Sequence, residues 1–95
     1  MEGDALGMFK SFVYTEIQGS QLTLDDVLEG LRGVQRGASP EWSWVGNAHS
    51  IDATAGTDAV INCEYASPDW VAVPIDTLIA AFEALVVEGK VLREL

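Results

Sequence analysis

The chain reads as one α+β domain spanning residues 1–95: a small antiparallel sheet covered by a C-terminal amphipathic helix, in the order strand, helix, strand, strand, short strand, helix. Three observations predict this. Apolar residues make up 48% of the chain and recur along nearly all of it, which suits a single core without metal or disulfide staples. The central runs Glu41–Ala53 and Asp58–Ala66 alternate apolar and polar residues, the period of a half-buried strand. From Pro74 to Glu88, the residues Ile75, Leu78, Ile79, Phe82, Leu85 and Val86 follow the i, i+3, i+4, i+7 rule of a helix with one buried face.

Met8–Ile17 is rich in Phe, Val, Tyr, Thr and Ile, which favours a strand with Phe9, Val13 and Ile17 on one face. The same residues, with Leu6, also approximate helical spacing, so a helix is the rival reading. Gly19 and Ser20 mark a turn. A helix then starts with Thr23 as its cap, Asp25 and Asp26 in its first turn and Leu22 stapled onto Val27. Leu24, Val27, Leu28 and Leu31 form its apolar stripe, and Gly30 and Gly33 weaken its end.

In Glu41–Ala53, Trp42 and Trp44 share a face. Gly46 and Asn47 interrupt the alternation, and a bulge there would bring Ile51 onto the tryptophans' face. The Thr54–Thr57 connection predicts an antiparallel return, with Ala59, Ile61, Cys63 and Tyr65 facing the core. Ser67, Pro68 and Asp69 turn the chain into a short third strand, Trp70–Val73. Pro74 and Asp76 suit a helix N-terminus, and Gly89 suits its C-terminal cap.

Charge is the main functional signal. The net charge is -10, and from Gly37 to Gly89 there are eight Asp or Glu and no Lys or Arg. Such a field repels phosphate backbones and attracts cationic partners, so direct nucleic-acid binding is disfavoured. The lone Cys63 forms no intramolecular disulfide and fits a reducing compartment. Neither a signal-peptide pattern nor a bilayer-length apolar run is present, and the expected location is cytoplasmic.

His49 is the sole histidine and has no Cys or second His at a ligand spacing, so no metal or cofactor is expected. Ser39, Ser43, Ser50 and Ser67 lack the glycine elbow of a hydrolase nucleophile, and no enzyme activity is expected. The chain reads instead as an acidic protein-binding domain. The leading expectation is an inhibitor of immunity type that blocks a basic, nucleic-acid-handling cleft of a toxin or nuclease. Asp52, Asp58, Glu64, Asp69, Trp70 and Asp76 are the candidate partner-binding residues, with Trp70 the tryptophan best placed for exposure. The alternative is a small assembly subunit that oligomerises through its sheet edge. Either a monomer or a small homo-oligomer fits the composition.

Overall fold

The computed structural model describes residues 1–65 and 69–95. Its first element is helical. Helix α1 spans Gly3–Phe12 and continues as a π-helical turn, Val13–Ile17, closed by the Gln18 N–H donating to the Val13 carbonyl at 3.0 Å. The strand expected over Met8–Ile17 is therefore corrected to its rival. Helical winding places Phe9, Phe12, Val13 and Ile17 together in the core, whereas a strand would split Phe9 and Phe12 between two faces.

Helix α2 runs from Gln21 to Gln35 and is capped by Ser20, whose Oγ accepts from the Thr23 N–H at 3.2 Å. The cap thus lies three residues before the expected Thr23. Asp25 and Asp26 fall beyond the first turn, and Leu22 is 74% exposed and staples nothing. The expected stripe of Leu24, Val27, Leu28 and Leu31 is buried.

Strands β1 (Glu41–Val45), β2 (His49–Thr54), β3 (Ala59–Cys63) and β4 (Asp69–Val73) form an antiparallel sheet in the order β1-β2-β3-β4. The run expected as one strand from Glu41 to Ala53 is a hairpin. Gly46 marks a reversal, not a bulge, and Ile51 joins the tryptophans' face by pairing with Trp44 across the two strands. A β-carbon at Gly46 would overlap both the Glu16 carboxylate and the Trp44 ring, so the turn admits only glycine without a shift. Ala59 and Ile61 face the core as expected. Cys63 is half-buried and Tyr65, beyond the strand, is exposed. Of the turn expected at Ser67, Pro68 and Asp69, the first two lie outside the described residues, as does Ala66, while Asp69 is the first residue of β4.

Helix α3 spans Ile75–Glu83, with Leu78, Ile79 and Phe82 buried. It ends earlier than expected, because Val86–Val87 (β5) and Lys90–Val91 (β6) form a second, two-stranded sheet. Glu88 and Gly89 both have positive φ, 52° and 77°, the backbone of a two-residue type I′ hairpin turn. Gly89 therefore serves a hairpin and caps no helix.

Helix α1 packs over β3 and β4, α2 over β1 and β2, and α3 against α2. The helices that lie on the sheet are thus chiefly α1 and α2, and the C-terminal helix expected to cover it packs mainly against α2. Phe12 lies at their junction, its ring centroid 5.2 Å from Trp44 and 5.7 Å from Phe82, while Phe9 meets Phe82 at 5.0 Å.

Candidate functional site

Two places in this fold carry polar groups in a defined geometry. The first is internal. Glu16 projects from the π-helical turn into the β1–β2 hairpin, where Oε1 accepts from the Asn47 N–H at 2.8 Å. Its Oε2 accepts from the N–H groups of Ala48 and His49, at 2.9 and 3.0 Å, and contacts His49 Nδ1 at 2.9 Å. The side chains of Glu16 and His49 are 1% and 2% exposed. Burial alone would raise the Glu16 carboxyl, but the His49 hydrogen bond, the Ala48 and Asn47 N–H groups and the charge on His49 together hold it below the usual carboxylate range.

On the far side of the ring, His49 Nε2 is 3.0 Å from Ser11 Oγ. Nδ1–H donates to Glu16, and the Ser11 hydroxyl shares a hydrogen bond with Nε2 whose direction follows the protonation of the ring. Ser11 is exposed and lines a shallow cleft of about 370 Å³ with Gly7, Met8, Cys63, Asp4 and Asp69. The serine, histidine and carboxylate have the connectivity of a nucleophile activated by a base. Among the described residues, α1 supplies no donor for a developing oxyanion beside Ser11, since its N–H groups at this depth are committed to the helix, and Asp4 and Asp69 would oppose negative charge. The arrangement supports an anchor that ties α1 to the hairpin.

Sequence reasoning set His49 aside as a metal ligand and missed both Ser11 and Glu16. The available signal was Glu16 itself, which shares the helical stripe of Phe9, Phe12 and Val13. A carboxylate on a core stripe needs buried partners.

The second place is the sheet face turned away from the helices. The strand register aligns Val45, Ser50, Asn62 and Trp70 in one row and Ser43, Asp52, Val60 and Ala72 in the next. Asp52 is held at its centre, with Oδ1 accepting from Ser43 Oγ at 2.8 Å and Oδ2 from Asn62 Nδ2 at 3.1 Å. Trp70 is 63% and Val45 76% exposed. Asp52 and Trp70, joined through Asn62, are the two predicted site residues that share this face.

The other four lie elsewhere. Asp58 and Asp76 line one cleft of about 290 Å³ at one end of the molecule, where Asp76 accepts from Gln35 Nε2 at 2.8 Å. Asp69 lines the Ser11 cleft, and Glu64 is exposed just beyond β3. Among the described residues no group of three or more His, Cys, Asp or Glu could hold a metal ion, and no helix is long and apolar enough to cross a membrane.

Strand β1 is an edge of the sheet. The bonds from the Gly46 N–H to the His49 carbonyl (2.8 Å) and from the Ala55 N–H to the Pro40 carbonyl (2.9 Å) set the phase of the ladder. The even-numbered residues of β1 therefore bond β2, and the N–H and C=O groups of Glu41, Ser43 and Val45 point to the free edge. Comparison of the chain with known protein families, curated proteins and solved structures finds no match.

Proposed function

We propose that this chain is a protein-binding domain of immunity type, which occupies the basic, nucleic-acid-handling cleft of a partner toxin or nuclease in the cytoplasm. The observation that carries the reading is the open sheet face, where a fixed Asp52 and the exposed Trp70 stand together on a surface that lacks Lys and Arg from Gly37 to Gly89. A carboxylate held by neighbours presents charge at little entropic cost, and an exposed indole supplies anchoring area. The role is non-catalytic and uses no cofactor, direct nucleic-acid contact or membrane.

The test is association with a basic nuclease, followed kinetically at two salt concentrations. Steered association should slow roughly tenfold or more between low and physiological salt. Asp52→Asn should lower the on-rate, and Trp70→Ala should raise the off-rate about tenfold or more. A salt-independent on-rate, with both variants behaving as wild type, would leave the acidity as a solubility device.

A second reading, an assembly subunit paired through its sheet edge, draws on the free edge of β1. Light scattering separates the two, since a stable oligomer favours assembly and a monomer favours the hetero-partner. The net charge of -10 on every copy weighs against self-pairing.

A further inference from the structure

We infer that β1 receives an extended, arginine-bearing segment of a partner as a fifth strand, with one arginine seated in the groove between β1 and α2. This rests on the protein-binding reading and adds its mode of docking. Three observations meet at this edge. The N–H and C=O groups of Glu41, Ser43 and Val45 point outward and have no partner among the described residues, which is the template that an added strand requires.

Alongside runs a groove of about 500 Å³, walled by Trp42 and Trp44 and flanked by Asp26 and Glu29 of α2. Glycine at position 30 lets the Trp42 indole lie flat against α2, where a β-carbon would overlap the ring, and so fixes that ring as a wall of the groove. Asp26 and Glu29 make no ion pair or side-chain hydrogen bond within the described residues.

The chemistry of the groove selects its occupant. Indole faces attract a cation, and a planar guanidinium both stacks on them and donates in a fork to a carboxylate, which an ammonium cannot do. Arg36, the one cation in the lining, leaves the acids in excess. Because side chains alternate along a strand, residues of the added segment on the Trp42 side enter the groove, while the others lie over the open face beside Ser43. A second copy of this chain fits poorly, since pairing β1 with itself would oppose two surfaces of net charge -10.

The probe is a short capped peptide alternating Thr and Arg, titrated at low salt against the labelled protein and followed by amide NMR. Expected are shifts at the amides of Glu41, Ser43 and Val45 and at the Trp42 and Trp44 indoles, and weaker binding when Lys replaces Arg. Ser43→Pro removes an outward N–H that takes no part in the β1–β2 ladder, a change tolerated on edge strands, and should weaken the peptide about three- to tenfold relative to Ser43→Ala, which loses the same hydroxyl bond to Asp52 but keeps the N–H. Asp26→Asn with Glu29→Gln should weaken it by a similar factor or more.

Shifts confined to Asp52 and Trp70, equal affinity in Ser43→Pro and Ser43→Ala, or dimerisation of the chain in place of peptide binding would each overturn the edge site. Failure here leaves the open-face reading standing if Asp52→Asn and Trp70→Ala still impair nuclease binding. Peptide binding at β1 with no effect of those two variants would sink the open-face reading alone.

Discussion

Replacing Glu16 with alanine should cost about 3–5 kcal/mol of folding free energy, because several donors lose one shared acceptor and each that is buried costs ~1–3 kcal/mol when left unpaired. Three backbone N–H groups and the His49 ring would lose their acceptor at once, and each buried group left unpaired is costly. A domain of this size is stable by only about 5–15 kcal/mol, so the variant should sit near the limit of folding. Glu16→Gln keeps the shape but turns an NH₂ towards donors and should lose part of the same stability.

The pH dependence follows from the lowered carboxyl of Glu16. A group whose value is lower in the folded state stabilises fully above its unfolded value, near ~4.3 for Glu. That stabilisation fades as pH falls towards and through the folded value. Urea unfolding at neutral and acid pH should therefore show the gap between wild type and Glu16→Gln narrowing in acid. Equal midpoints at neutral pH for wild type and Glu16→Ala would refute the anchor.

Phe12→Ala should also cost about 3–5 kcal/mol, as for other buried aromatic truncations. Its ring is fully buried and meets Trp44, His49 and Phe82 edge-on at 5.2, 5.8 and 5.7 Å, so its loss opens a void where α1, α3 and the sheet converge. Phe82→Ala should cost a similar amount. The double variant should lose less than the sum, because the two rings share a contact that either truncation already removes. A loss below about 1 kcal/mol for Phe12→Ala in urea would show that the junction collapses around the gap.

What the sequence made legible followed from unambiguous periods. Ile75, Leu78, Ile79 and Phe82 fit a helix, and Ala59, Ile61 and Cys63 alternate with Asp58, Asn62 and Glu64, interrupted only by Val60, as in a strand. Met8–Ile17 was not legible in this way, because Phe9, Val13 and Ile17 satisfy both periods and residue composition tilted the choice wrongly. Gly46 and Gly89 announced special backbone without saying which kind: a bulge and a turn both use glycine, as do a helix cap and a hairpin. Ser20 and Thr23 can each cap a helix, and local sequence does not decide between them.

For the site, alternation alone does not show that Asp52 and Trp70 share a face. That requires the register of three strands, which brings Asn62 between them. Asp58, Glu64, Asp69 and Asp76 share a charge sign but lie on different elements, so the fold scatters them. The Glu16–His49 contact joins residues 33 positions apart, beyond any local pattern.

That contact also changes what the β1–β2 turn is. Hairpin turns ordinarily exchange their amide hydrogens with solvent quickly, because their N–H groups open by small local fluctuations. Here the amides of Asn47, Ala48 and His49 are bound to a carboxylate on the first helix, and freeing them requires that helix to leave the sheet. In deuterated water these three amides should exchange nearly as slowly as the centre of β2, a surface turn with the opening energy of the core.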